Sequence, residues 1–522
     1  MPRLTDYTSC TDARRHFSFA RLWELFDGNR EHLNITHECI DRWATDLDRV
    51  AIRVAYADGG NETITFHSLS ALSSRFAHFL TGRRIVPGDR VAIMLEPSLP
   101  FYTALFGTMK AGAVAVPLFT LFGPDGVRLR VDDCQPHLLV TSAEKAAELG
   151  ELPGTRIIIA DAAFMETLGR FPTVWDATTR ADDMALFQYT SGTTRQMPAA
   201  VRHTHRAVVV VTVAALYGTG IRPGDRFFCP SSPAWGHGLW HGTLAPLALG
   251  VSTGTYSGRF DPLRLLAALE EFGITNLSAA ATHYRMMNNC GTAAKHRFVI
   301  RKLSFTGEPI DADSLAFAEA TFDAPLCSMY GTTEVGVILA NYPGATDFAR
   351  KPGSLGRPVP GVSVEVQAPN GTPCGPDEIG EIKVWRHNSW FSTKDRGRVD
   401  ADGCFWHAGR ADDAIISAGW TIGAVEVEDA LLMHPAVREA AVIGVADPVR
   451  GQIVKAFVVT DLQPDVALTR DIQDFVRTRL SQHEYPRIVD FVAELPKTPA
   501  GKVNRKFLRD REAALHRHPE EA

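Results

Sequence analysis

Met184-Ala-Leu-Phe-Gln-Tyr-Thr-Ser-Gly-Thr-Thr194 is the most informative stretch of this 522-residue chain. An apolar run that reads as a strand enters a loop of small hydroxyl residues around one glycine. Gly192 permits a tight turn and close backbone approach to a ligand. Thr190, Ser191, Thr193 and Thr194 add hydroxyl donors to the backbone N–H groups, and a concave array of donors suits phosphate oxygens. An ordinary polar loop has the same composition. The Walker-type P-loop pattern occurs nowhere in the chain; Gly501-Lys502 comes nearest, without the upstream glycine or the following hydroxyl.

On both sides of this stretch, short β-like runs alternate with helical patterns, the rhythm of α/β layers. Val91–Leu95 reads as a buried strand, Pro100–Ala111 as a helix stopped by Gly112, and Val114–Leu118 as the next strand. His137–Thr141, Arg156–Ala160 and Thr275–Ser278 are further apolar runs, and Leu263–Phe272 suits a helix. Ala207–Leu216 is ambiguous: its valines suit a strand, its length a buried helix. After about residue 350, glycines and prolines punctuate alternating strands such as Val362–Val366 and Gly380–Trp385, a small β-rich region. Beyond Gly409-Arg410 the pattern changes again. Val425–Met433 and Asp471–Leu480 read as helices, Ala440–Val445 and Val454–Thr460 as strands. The expected fold is α/β: a large N-terminal domain over 1–410 with α/β layers and a β-rich subdomain, then a smaller, mobile α+β domain over 411–522.

Composition narrows the classes. Apolar residues make up 45% and charged residues 22%, as in ordinary globular proteins. A net charge of −6 argues against a nucleic-acid binder. The longest apolar runs, Ala207–Tyr217 and Leu244–Val251, fall short of the roughly 18 residues a membrane helix needs. The polar N-terminus lacks the apolar region of a secretory signal. Eight scattered cysteines form no CxxC pair, which favours isolated thiols in a reducing, cytoplasmic setting.

Two further motifs carry chemistry. Tyr330-Gly331-Thr332-Thr333-Glu334 follows Ser328-Met329 and sets an aromatic, a glycine, two hydroxyls and a carboxylate in sequence. The aromatic can cover a base; the carboxylate can hold Mg²⁺, which takes oxygen ligands and usually bridges phosphates. A turn ending in a solvated glutamate is the plainer reading. Pro496-Lys-Thr-Pro-Ala-Gly-Lys-Val-Asn-Arg505 presents Lys502 on a loop fixed by two prolines and a glycine. A lysine there is a point charge for phosphate or carboxylate oxygens, or simply part of a basic surface loop.

These three motifs, in this order and spacing, resemble the adenylate-forming superfamily of acyl-CoA synthetases, luciferases and peptide-synthetase adenylation domains. The resemblance covers nearly the whole chain. Gly307-Glu308-Pro309 resembles the family's purine-side loop. Lys351–Pro358 and Gly380-Glu381-Ile382 match its mid-chain landmarks. Thr393-Lys394-Asp395 stands where the family has Thr-Gly-Asp, and Gly409–Asp413 where it has the hinge between large and small domains. Pro117–Gly123, Ser232–Gly238 and Thr306–Pro309 look like the acetate, medium-chain and aryl acyl-CoA synthetase branch.

The resemblance implies a two-step reaction: a medium-chain, branched or aryl carboxylic acid attacks the α-phosphate of Mg-ATP and releases pyrophosphate, then the thiol of coenzyme A displaces AMP. It implies Lys502 as the cation that bridges carboxylate and α-phosphate, Thr190–Thr194 as the holder of the β- and γ-phosphates, and Glu334 as the Mg²⁺ ligand. Gly307–Pro309 and Ser328–Thr333 would complete the nucleotide site. Asp395 would accept from the ribose hydroxyls, with Arg410 beside it. Asp412 would be the hinge about which the small domain turns, bringing Gly419 and Trp420 to the pantetheine tunnel. Trp235, His237, Gly238 and Gly331 would line the acyl pocket. Acetate-specific members carry a tryptophan at the position of Gly331, so a larger pocket is expected here.

Three departures stand out. Arg195 replaces the second glycine of the phosphate loop, and Ala199 lies nearest the place of its lysine. We expect Arg195 to supply the lost charge. Lys394 replaces the glycine before Asp395, and Thr421 stands where this branch often has arginine. Two other readings remain beside the ligase: an adenylating enzyme that loads a carrier-protein pantetheine, and a non-catalytic relative that binds nucleotide or acyl ligand. The identity of the acid and the oligomeric state are left open.

Overall fold

The computed structural model describes residues 2–189, 200–307, 310–332, 334–410, 414–417, 420–447, 451–480, 485–498 and 501–515. The chain divides into two compact units, 1–362 and 363–522. The boundary expected after residue 410 lies inside the second unit, at the end of the strand Phe405–Arg410.

The first unit is built on two sheets. The six-stranded one runs Arg156–Ile159, Leu138–Thr141, Arg90–Met94, Val114–Pro117, Met184–Gln188, Val201–Thr204. All its neighbouring pairs are parallel except the last. Val114–Pro117 and Leu138–Thr141 are buried at every residue, which explains their unbroken apolar runs. The expected helix after Met94 spans Leu99–Lys110, with Pro100 in its first turn and Ser98 as N-cap, accepting from Phe101 N. Its face packs Phe101, Tyr102 and Phe106 into a core with Phe66, Phe76 and Leu80.

The nine-stranded sheet places Arg357–Pro358, Gly336–Ala340, Leu326–Thr332, Lys302–Thr306, Asn276–Ala280, Arg226–Phe228, Ser252–Ser257, Val50–Tyr56 and Asn61–Thr65 side by side. From Leu326 to Tyr56 the neighbours are parallel. Leu265, Leu269, Leu277, Leu303 and Leu326 form the core under this sheet. The ambiguous stretch is helical: Ala207–Val213 is α, and Ala214–Gly218 continues as a π-helix. Among the described residues, no helix is long and apolar enough to cross a membrane.

The second unit holds an antiparallel sheet of Val364–Gln367, Gly380–Arg386, Ser389–Val399 and Phe405–Arg410. A five-stranded sheet follows, with Gly451–Val459 flanked by Glu439–Asp447 and Ile488–Phe491. The helix Val466–Arg479, capped by Asp465, begins five residues before the expected Asp471 and buries Ile472 and Val476 against Val427, Leu431, Val442 and Val454. All eight cysteines are free thiols.

Candidate active site

The strand Met184–Gln188 ends at the hydroxyl loop, and its antiparallel partner Val201–Thr204 returns from it, with Gln188 opposite Val201. The loop itself, with Thr190, Ser191, Gly192, Thr193, Thr194, Arg195 and Ala199, lies outside the described residues, as do Glu308, Pro309, Thr333, Asp412 and Gly419. Arg410 and Trp420 are described by their backbone alone.

In the nine-stranded sheet, Phe305 lies opposite Ser328 on parallel strands. Gly307, two residues on, is therefore level with Tyr330 at the carboxyl ends of both strands, where ligands of open α/β sheets bind. Gly307 has φ +99°, a conformation that favours glycine. Ser328 and Met329 are buried, Tyr330 is half-buried and Glu334 is exposed. Strand Gly336–Ala340 folds back on Leu326–Thr332. At Gly331 a Cβ would stand 1.9 Å from the carbonyl oxygen of Gly336. The hairpin therefore itself demands a residue without a side chain there.

The two sheets are joined by a segment that sequence reasoning assigned only to the acyl pocket. His237–Leu244 is a π-helix, a form found mostly as single turns and frequently at functional sites. From it, Trp240 Nε1 donates to Gln188 Oε1 at 3.0 Å, at the end of the strand that enters the hydroxyl loop. His237 reaches the other sheet, with Nε2 2.9 Å from Ser278 Oγ, while its Nδ1 is 2.9 Å from Ser231 Oγ. Both ring nitrogens are thus taken within the protein, and the ring is 3% exposed. Burial, with His241 and His283 nearby, holds its pKa well below that of a free histidine. The ring is therefore neutral near pH 7 and is engaged with Ser231 and Ser278. Gly238 is bare because a Cβ would stand 2.2 Å from the carbonyl oxygens of Ser231 and Ser232. Trp235 is half-buried against the cluster that contains Phe187 and Tyr189, with its ring 5.5 Å from that of His237.

Thr332 and Glu334 bring only oxygen atoms as possible ligands. Thr332 Oγ1 is buried and has no hydrogen-bond partner among the described residues. An exposed carboxylate two residues from such a hydroxyl offers oxygen ligands of the kind Mg²⁺ takes alongside phosphate oxygens and water. No group of three His, Cys, Asp or Glu side chains among the described residues could hold a metal by itself.

In the second unit, Asp395 and Arg410 are register partners on neighbouring antiparallel strands. Asp395 is 6% exposed, and its Oδ1 lies 3.7 Å from His407 Nε2. Lys394 has φ +61°, so the position where the family carries glycine keeps a left-handed backbone despite its side chain. Lys502 is half-buried on a hairpin: Thr498 N donates to Lys502 O at 2.7 Å, and Asn504 N to Pro496 O at 2.7 Å. Sequence reasoning missed Asp133, Gln188, Ser278 and Trp240. Gln188 lies at the strand end of the first motif and the other three lie in none; each acts through a contact distant in sequence.

Comparisons with known proteins agree with this picture. The AMP-binding enzyme family matches residues 41–389, and the AMP-binding enzyme C-terminal domain matches residues 426–502. An acetyl-coenzyme A synthetase of Bacillus subtilis (strain 168) is 30% identical, over 95% of this chain and 93% of its own length. The crystal structure of a Brucella canis acyl-CoA synthetase superposes with a TM-score of 0.76 at 32% identity, covering 98% of this chain and 100% of that one. A benzoate CoA ligase from Burkholderia xenovorans LB400 superposes with a TM-score of 0.78 at 26% identity, over 91% and 99%. With two family domains in order along one chain, and strand ends and hairpin arranged as described, this protein belongs to the AMP-binding enzyme family, the adenylate-forming superfamily.

Proposed function

We propose that this AMP-forming acid–thiol ligase activates a medium-chain, branched or aryl carboxylic acid and passes it to coenzyme A. The observation that carries the reading is the bridge from Trp240 to Gln188 and from His237 to Ser278. It ties the strand end entering the hydroxyl loop to the sheet that bears Gly307 and Tyr330. One cleft at the carboxyl ends of these strands then serves both nucleotide and acid.

In the first step a carboxylate oxygen attacks the α-phosphorus, and the bond to pyrophosphate breaks. Two anions meet, so positive charge is needed where the transition state gathers negative charge. Lys502 supplies it. Thr190–Thr194 and Arg195 hold the departing phosphates. Glu334 and Thr332 would hold Mg²⁺, which when bound offsets phosphate charge. Asp395, with Arg410 beside it, takes the ribose. In the second step the thiol sulfur attacks the acyl carbon, forms the thioester and expels AMP. Gly419 and Trp420 line the approach of the pantetheine. Asp412 is the hinge between the two steps, and the functional boundary falls after residue 410. The resemblance, in which acetate-specific members carry a tryptophan at the position of Gly331, supports an acid larger than acetate. The free thiols suit a reducing compartment such as the cytoplasm.

The test is ATP–pyrophosphate exchange over a panel of acetate, butyrate, hexanoate and benzoate, followed by thioester formation with free coenzyme A or a phosphopantetheinylated carrier. We expect exchange that depends on acid, with acetate poorer than the larger acids, and thioester with free coenzyme A. No exchange with any acid would reject the reading. Acetate preferred over the others would reject the larger pocket, and thioester on the carrier alone would reassign the acceptor.

A further inference from the structure

We propose that Asp133 is a positioning residue that fixes the mouth of the hydroxyl loop by holding both of its ends. Its Oδ2 lies 2.6 Å from the Tyr189 hydroxyl and accepts from Ala200 N at 3.3 Å. Tyr189 is the last described residue before the loop and Ala200 the first after it. The strand ladder ends one residue earlier on each side, at Gln188 and Val201. Where backbone pairing stops, one carboxylate oxygen supplies the next rung.

The clamp is well anchored. Tyr189 is 2% exposed, and its hydroxyl also lies 3.1 Å from the carbonyl oxygen of Arg130. Burial and the Asp133 carboxylate both push the phenol pKa up, which keeps it a donor. Arg130 lies 3.7 Å from the Phe122 ring centroid and 5.5 Å from that of Tyr189, so the helix Pro124–Cys134 packs its guanidinium against the clamp. Asp133 lies in the last turn of that helix, where a negative charge opposes the helix dipole. Helix stability does not account for it. Among the described residues its hydrogen bonds go to Tyr189 and Ala200 alone. Beside it opens a cavity of about 440 Å³, with Phe187 and Arg202 in its walls, so Asp133 does not serve as core filling.

This inference rests on the proposed role of the loop in holding phosphates. Donors act in the transition state only when already in place, so loosening the mouth should slow adenylation and spare the thiol step, which involves no pyrophosphate. The test compares Asp133→Ala and Tyr189→Phe with the unaltered protein. We expect kcat/KM for ATP in pyrophosphate exchange to fall about 10- to 100-fold in Asp133→Ala and about 3- to 10-fold in Tyr189→Phe. The double variant should be no worse than Asp133→Ala, and thioester formation from supplied acyl-AMP should stay within twofold. Amide exchange at Ala200 should quicken in Asp133→Ala. Unchanged kcat/KM for ATP, a parallel loss with supplied acyl-AMP, or unchanged exchange at Ala200 would overturn the clamp. Absence of pyrophosphate exchange in the unaltered protein would instead defeat the ligase reading, with the Ala200 measurement still deciding the clamp.

Discussion

Arg505 grips Glu428 with two nitrogens: Nε donates to Oε1 at 2.8 Å and Nη2 donates to Oε2. The same Oε1 accepts from Val442 N at 2.8 Å. One carboxylate thus ties the helix Ala424–Leu432, the strand Glu439–Asp447 and the start of the helix Arg505–Leu515, three residues beyond Lys502. Fork-to-fork pairing of this kind adds geometric specificity as well as energy.

We expect Glu428→Ala to cost about 2–4 kcal/mol, since it removes the bidentate acceptor of a partly buried guanidinium and the acceptor of a buried amide. Arg505→Lys should lose part of the same stability with Glu428 in place, because an ammonium cannot make the two parallel bonds. Denaturant unfolding, with hydrogen exchange over 496–504, reads both. An Arg505→Lys variant as stable as the unaltered protein would show that the fork geometry is unimportant.

Lys394 carries the second test. Its φ of +61° places a non-glycine residue in the left-handed region, beside the buried Asp395. Lys394→Gly should raise stability by about 0.5–1 kcal/mol, the relief of the Cβ contact less the added freedom of the unfolded chain. Lys394→Ala should gain nothing, because alanine meets the same backbone contact. The thermal midpoints of the two variants decide it; equal midpoints would mean that no strain is stored there.

The sequence was legible wherever the cause is local. The strand Arg90–Met94, the helix Leu99–Lys110 and the strand Val114–Pro117 follow from apolar runs and a glycine stop, and their bounds fall within a residue or so of the expected ones. Ala207–Leu216 was undecided because a buried helix and a buried strand are equally apolar. Its π-helical end depends on tertiary packing: a Cβ at Gly218 would stand 2.9 Å from Met329 Sδ, on the hairpin of the candidate site. Asp133 and Trp240 escaped notice for the same reason. A lone aspartate at a helix end and a tryptophan in an apolar run announce nothing until the partner strand lies beside them.

Gly331 separates two explanations of pocket size. If the glycine serves only to leave space for the acid, a side chain there should shift preference toward shorter acids and retain rate with acetate. The hairpin predicts otherwise, because a Cβ would meet Gly336 O at 1.9 Å and Val337 Cα at 2.8 Å. Both are backbone atoms and cannot rotate away. We expect Gly331→Ala to lower kcat/KM for every acid of the panel by about tenfold or more, without improving acetate relative to benzoate. Rate retained with acetate alone would return the glycine to a size-selecting role.

Acid should destabilise the protein through its buried histidines. Burial lowers the pKa of His203, His205, His241 and His283 to about 4 each, and holds that of His237 well below the free value. Above about pH 6.5 these rings are neutral in folded and unfolded chains alike, so their contribution to stability is complete. As pH falls below 6.5 the unfolded chain takes up protons that the fold refuses, and stability drops until about pH 4, where the folded rings accept them too. Each such histidine costs about 1.4 kcal/mol per pH unit within that window. His203 gives the cleanest test. Its ring stands edge-on to Trp240 at 4.7 Å, and its Nε2 is buried with no hydrogen-bond partner among the described residues. His203→Phe keeps the ring contact and removes the proton site. We expect its melting temperature to match or exceed that of the unaltered protein at pH 7.5 and to fall less steeply between pH 6.5 and 4.5. Parallel curves for the two proteins would mean that His203 takes up its proton equally well in the fold.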